Sequence, residues 1–93
     1  MHGLTAFQYD VLAAIAAADN NERYGLGIKR DLQATDYYEE EINHGRLYPN
    51  LDDLVDAGLV EKGEADKRTN VYRLTNDGVG VLHKRAGHLE RGL

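Results

Sequence analysis

One stretch, Ile42 to Val60, limits what this chain can become. Apolar Leu47, Leu51, Leu54 and Val55 recur at spacings of three and four, which puts them on one face of a helix over Ile42 to Ala57. The next place in that series falls to Gly58. Glycine takes the left-handed conformation without steric cost, so the helix is expected to stop there. Leu59-Val60 then opens a new apolar run, and the chain passes straight from helix to strand. The opposite face carries Gly45, Arg46, Pro49, Asp52, Asp53 and Asp56. Its N-terminal end, Asn43-His44-Gly45-Arg46, is small, polar and basic. A helix with a buried stripe and such an end is what a major groove admits, although an ordinary surface helix can carry the same stripe.

The flanking segments frame that helix. Thr5 is placed to cap a first helix whose buried stripe is Phe7, Val11, Leu12 and Ile15, and Asp19-Asn20-Asn21 ends it. Glu22-Arg23-Tyr24 can add a very short strand. A second helix is expected from Gly25 to Ala34, with Tyr24, Ile28 and Leu32 inward; Gly25 and Gly27 weaken its start or allow close backbone packing. Tyr37 to Glu41 reads as a short helical lead-in, acidic and exposed except for a tyrosine. After the Ile42 helix comes a hairpin, Leu59 to Ala65 against Asn70 to Leu74, turning through Asp66-Lys67-Arg68-Thr69. Val71 and Arg73 face one side of it and Tyr72 and Leu74 the other. Thr75 caps a last helix, with Asp77 in its first turn. There Val79, Leu82, Ala86, Leu89 and Leu93 recur at three and four, a short heptad seam. Such a seam packs either on the first helix of the same chain or on a second copy. A mixture is expected, with Phe7 and Val11 of the first helix joining the seam in a homodimer.

Helix, helix, helix, hairpin, helix is the winged helix-turn-helix order: mainly α with a small β-hairpin wing (α-α-α-β-β-α). The Ile42 helix takes the recognition place and Lys67-Arg68 the wing tip. Residues 1–75 form the expected DNA-binding domain and 76–93 the dimerisation helix.

Composition narrows function further. At 93 residues without cysteine, the chain is one small domain with no disulfide, thiolate metal site or thiol sensor. No apolar run approaches the roughly 20 residues of a membrane span, so a cytoplasmic location without an anchor is expected. The net charge of -5 argues against nucleic acid when taken as a sum. Its distribution argues otherwise. Residues 36–64 carry nine acids and two bases, whereas residues 65–93 carry three acids and six bases. That suits a local anion-binding edge on an acidic body. Acid-rich, lysine-poor composition also suits a halophile's cytoplasm, or simply an acidic mesophilic protein.

Enzymatic readings find no support. His2, His44, His83 and His88 lack paired ligand spacing, Glu39-Glu40-Glu41 and Asp52-Asp53 have no partnered base, and Gly78-Val79-Gly80 lacks the ending of a phosphate loop. Nothing implies a cofactor.

Several motifs now become specific. Tyr24-Gly25-Leu26-Gly27-Ile28, Gly45-Arg46-Leu47-Tyr48-Pro49-Asn50-Leu51, Leu54 with Gly58-Leu59-Val60, and Tyr72-Arg73-Leu74-Thr75 with Gly78 together resemble the PadR-like transcriptional regulators. The resemblance spans about residues 5 to 82, and the wording EINHGRLYPNLDDLV is similar to haloarchaeal members. It implies a homodimer on a pseudo-palindromic operator in double-stranded DNA, usually as a repressor. The chain departs from the family in its acidity and its short last helix.

The chemistry assigns roles beside that resemblance. Arg46 is the expected base contact, because its fork matches guanine O6 and N7. Asn43 caps the helix or meets a phosphate. His44, at a helix N-terminus, acts as a neutral donor if it acts. Gly45 allows close approach to the DNA backbone or to another helix. Tyr48 and Asn50 offer a hydroxyl and an amide to phosphate, although a solvated side chain is the simpler role for Asn50. Lys67, Arg68 and Arg73 are expected wing contacts. Cations would bridge the acidic surface and DNA. The competing reading is a winged helix whose acidic face docks a basic protein partner.

Overall fold

The computed structural model describes residues 3–66 and 69–92, with side chains of the last helix as far as Gly87. Four helices and a three-stranded sheet surround one core. They are α1 (Ala6–Ala17), β1 (Glu22–Tyr24), α2 (Gly25–Gln33), α3 (His44–Asp56), β2 (Val60–Glu64), β3 (Asn70–Leu74) and α4 (Asn76–Gly92). The sheet is antiparallel in the order β1-β3-β2.

Helix α1 starts on a capping box. The Thr5 hydroxyl accepts from the Gln8 amide at 3.2 Å, and the Gln8 side chain accepts from the Thr5 amide at 3.0 Å. A 3-10 turn, Asp19–Asn21, follows α1, and Asn20 and Asn21 both take positive φ, which asparagine tolerates better than most residues. The turn aims β1 at β3, where Glu22 pairs with Arg73 and Tyr24 with Val71. The short strand expected at Glu22–Tyr24 is present and makes the hairpin a three-stranded sheet.

Two boundaries differ from expectation. Tyr37 to Glu41 is not helical; the chain there passes through turn, bend and irregular backbone. It holds no apolar spacing to anchor a helix, and Tyr37 is 90% exposed. Helix α3 begins at His44 rather than Ile42, because Asn43 is its N-cap: the side-chain oxygen accepts from the Arg46 amide at 2.8 Å. Ile42 and Leu47 hold the N′ and N4 positions of a hydrophobic staple, and both are buried in the core. Pro49 sits inside α3, and the helix continues through it.

The stop at Gly58 is a Schellman turn. Gly58 has φ +77, its amide donates to the Val55 carbonyl at 3.0 Å, and the Leu59 amide donates to Leu54 at 3.0 Å. Thr75 then ties this turn to the last helix. Its hydroxyl donates to the Gly58 carbonyl at 2.8 Å and accepts from the Gly78 amide at 3.0 Å. Gly78 packs so tightly here that a Cβ on it would lie 2.3 Å from the Leu59 carbonyl oxygen. The core joins Leu12, Ile15, Ile28, Leu47, Leu51, Leu54, Leu59 and Tyr72, all essentially without solvent contact. Each such side chain contributes about 1.5–3 kcal/mol on burial. The facing of β3 is as the alternation predicts: Tyr72 and Leu74 are buried and Arg73 is exposed.

Candidate nucleic-acid interface

Helix α3 turns its stripe of Leu47, Leu51 and Leu54 into the core and leaves Asn43, His44, Gly45, Arg46 and Pro49 exposed. Its N-terminal half therefore faces outward, as a reading helix requires. The side chains around it are organised by α1 and α2.

Arg46 lies with its guanidinium 4.1 Å from the Phe7 ring centre and 5.7 Å from that of Tyr38. Both contacts are cation–π in kind, and they hold the side chain at the edge of α3. Its N–H groups meet no acceptor among the described residues, so the fork is positioned yet chemically unused. Arg23 and Arg73 contrast with it. Arg23 is held by Asp31 at 2.9 Å and Arg73 by Glu22 at 2.7 Å. These bonds to carboxylates raise the pKa of both guanidinium groups.

Several expected contacts take other places. Arg73 lies mid-sheet, between Glu22 on β1 and Glu61 on β2, committed to a cross-strand ion pair. Asn50 is half-buried and engaged: its amide nitrogen donates to the Arg46 carbonyl at 2.7 Å, and its oxygen accepts from Gln8 at 3.1 Å. That chain locks the N-terminus of α1 to α3. Asn43 spends its side-chain oxygen on the cap. His44 stands edge-on to Tyr48, with ring centres 5.4 Å apart. Tyr48 is half-buried and lies against Gly25 of α2, so closely that a Cβ there would come within 2.7 Å of its hydroxyl. Close packing is thus the use of the glycine at the start of α2. Lys67 and Arg68 lie outside the described residues; beside them, the Thr69 amide donates to the Asp66 carboxylate at 2.9 Å and closes the turn.

The seam residues divide similarly. Phe7 and Val11, expected in a dimer face, are 6% and 0% exposed within a single protomer. A side chain already enclosed by its own core has no surface to offer a second copy. Val79 and Leu82 are half-buried against that core, and Ala86 is exposed. The side chains of Leu89 and Leu93 lie outside the described residues. Arg85 covers the Tyr9 ring at 4.0 Å, which lays α4 along α1.

Sequence reasoning missed a shallow concavity beside α3, formed by Tyr24, Leu26, Tyr48, Thr69 and Asn70. The start of α2 opens onto it, and Tyr24 offers no capping side chain to the first-turn amides. A helix start left in this state suits a phosphate oxygen. The signal was present as an absence, since none of Ser, Thr, Asp or Asn precedes Gly25.

Tyr38 gives the region a pH signature. Burial, and next the hydrogen bond it donates to Asp10, push its phenol up to about 12. The folded state therefore favours the protonated form. Stability from this group is complete below the usual phenol value and is lost as pH rises through the folded one. Tyr38→Phe is expected to flatten part of the stability loss in alkali, read by denaturant melts across that window. An unchanged alkaline limb would mean that Tyr38 is solvated.

A helix exposed at its N-terminal half, two helices bracing it and a β-hairpin beside it make up a winged helix-turn-helix domain. The chain belongs to the transcriptional regulator PadR-like family, whose model matches residues 11–84. It is similar to RosR of Halobacterium salinarum. A complex structure of the S1 form is 55% identical, covers 92% of this chain and 72% of that one, and gives a TM-score of 0.84. That of the SG form is 53% identical, covers 96% and 75%, and gives 0.87. BpsR of Bordetella bronchiseptica, at 19% identity, TM-score 0.75 and coverage of 96% and 57%, shares the fold. No curated protein gives a significant sequence match. Among the described residues no helix is long and apolar enough to cross a membrane, and no three metal-ligating side chains converge.

Proposed function

We propose that this protein is a sequence-specific regulator, a repressor, that binds a pseudo-palindromic operator as a homodimer in a salt-rich cytoplasm. The observation that carries this reading is Arg46, a guanidinium fixed by two rings with its donors unused, on the exposed end of α3. In this reading α3 enters the major groove, and Arg46 reads a guanine. His44 and the bare backbone at Gly45 lie along the DNA, and the Tyr48 hydroxyl and the wing bases Lys67 and Arg68 meet phosphates. Residues 1–75 form the DNA-binding domain. The rest of the chain, 76–93, pairs two copies through the exposed run that includes Ala86, setting the α3 helices about one helical turn, roughly 34 Å, apart.

The acids define the salt behaviour. Asp52, Asp53 and Asp56 are exposed on α3 beyond the reading end, so DNA approach requires cations to lie between them and the phosphates. A basic protein loses affinity steeply with salt through counterion release. Here the expected slope is shallow or reversed, because cations are taken up. A labelled operator, found by genome-wide mapping of bound DNA, is titrated across molar KCl. Two chains per site with a flat or rising affinity support the reading. A steep fall with salt removes the cation role, and no sequence-specific shift at any salt favours a protein-docking module.

A further inference from the structure

A broad concavity lies away from the α3 reading end. It opens between α1, the turn into β1, α2 and the α2–α3 connection, with a volume of about 720 Å³. Its floor is made of small side chains, Ala13, Ala14 and Ala17 of α1, with Leu32 of α2 beside them. The size and the apolar floor are those of a small-molecule site. Tyr37 and Tyr38 stand at the rim.

The charges of the rim select the ligand. Four carboxylates line it, Asp10, Asp19, Glu22 and Asp31, against one guanidinium, Arg23. Asp31 is neutralised by Arg23 at 2.9 Å and Glu22 by Arg73 at 2.7 Å. Asp10 and Asp19 face no basic side chain among the described residues; Asp10 receives only the Tyr38 hydroxyl. Two negative charges without a basic partner, one on α1 and one on the 3-10 turn that follows it, thus flank an apolar floor with two phenols beside it. An anion is repelled there, and a neutral apolar molecule gains nothing from the two carboxylate charges. A metal ion lacks a convergent ligand set among the described residues.

We propose that this groove binds an organic cation with an apolar or aromatic body, and that its occupancy weakens DNA binding through Tyr38. The second half rests on the DNA-binding reading above. Tyr38 is shared between the groove and α3. Its hydroxyl is on Asp10, its ring packs edge-on to Phe7 with centres 6.0 Å apart, and Arg46 lies over both rings. A cation beside Asp10 offsets the charge of the carboxylate and so weakens the hydrogen bond it accepts from the phenol. The ring then leaves its place, and Arg46 loses part of the platform that aims it.

The test uses the full chain in molar sodium chloride, titrated calorimetrically with tetraphenylphosphonium and with tetraphenylborate, an anion of the same shape. Saturable phosphonium binding is expected, preferred over the borate by about threefold, since salt screens the two surface carboxylates. The isosteric pair Asp10→Asn with Asp19→Asn should weaken it about threefold. Ala17→Leu, at an exposed position, should fill the floor and abolish binding. No saturable binding, equal binding of the borate, or an unchanged Asn variant overturns the site. So does Ala17→Leu turning a dimer into a monomer in sedimentation while the phosphonium fails to bind, which would assign the groove to a second copy. With operator present, the phosphonium should lower wild-type affinity about fivefold, a modest coupling, and leave Ala17→Leu unaffected. Phosphonium binding without that change overturns the Tyr38 link. Loss of DNA binding altogether would sink the regulator reading and leave the calorimetric result standing.

Discussion

Arg46→Ala is expected to lower operator affinity by about one to two orders of magnitude while the domain stays folded. A bidentate Arg–guanine contact contributes about 1–3 kcal/mol of discrimination, and nothing else at the end of α3 offers a second fork. The cost to the fold is small, because an exposed cation–π contact is worth roughly 0.5–1 kcal/mol. Asn43 still caps α3 and Asn50 still bridges to Gln8 in the variant, since neither bond uses the Arg46 side chain. Arg46→Lys separates charge from geometry. It keeps attraction to phosphate but loses the planar fork, so specific binding should fall while binding to scrambled DNA stays near wild type. Fluorescence anisotropy with operator and scrambled duplexes reads both. Equal affinities of wild type and Arg46→Ala for the operator would remove Arg46 from the interface.

Gly78→Ala carries the largest expected loss of stability for the smallest change in volume. A Cβ at this position would lie 2.3 Å from the Leu59 carbonyl oxygen and 2.8 Å from Leu74 Cδ1. The carbonyl belongs to the turn that ends α3, and it already accepts the Thr75 amide at 3.1 Å. Backbone cannot swing aside as a flexible side chain would, so the start of α4 must lift from the turn. Overpacking of this kind costs about 1–3 kcal/mol, with the upper end expected here. In a domain of this size that lowers Tm by about 10–20 °C. Gly80→Ala and Gly87→Ala provide the contrast. Among the described residues neither new Cβ meets an atom from outside its own turn of helix within 4 Å, and alanine favours helix by up to about 1 kcal/mol. Thermal melts in high salt should therefore order the variants Gly78→Ala, wild type, Gly80→Ala from least to most stable. A Gly78→Ala melt equal to wild type would show that the turn and α4 are not closely packed.

The effects of both substitutions depend on partners far along the chain, and this separates what was legible in the sequence from what was not. The stripe of Leu47, Leu51 and Leu54, the stop at Gly58, the caps at Thr5, Asn43 and Thr75, and the inward facing of Tyr72 and Leu74 were all readable. Each is a periodicity or backbone preference acting within one turn or one strand, so the neighbouring residues suffice to specify it. The motif at Gly45 to Leu51 added the family, which the matched model and the RosR structures bear out.

Tertiary structure alone decided how the polar side chains were used. Glu22 claims Arg73 across a separation of 51 residues, and Gln8 claims Asn50 across 42. Neither pairing leaves a trace in local pattern, because a long polar side chain takes whichever complementary group the fold brings within reach. The same is true of Arg46 on Phe7 and Tyr38, and of Val11, whose apolar character is equally compatible with a core or a dimer face until the other helices close over it. By itself, the sequence determined which backbone elements form and which faces they bury, because those are local energies. Only the tertiary structure decided which charges are spent within the protein and which remain for a partner, because that depends on what long-range packing places within about 3 Å.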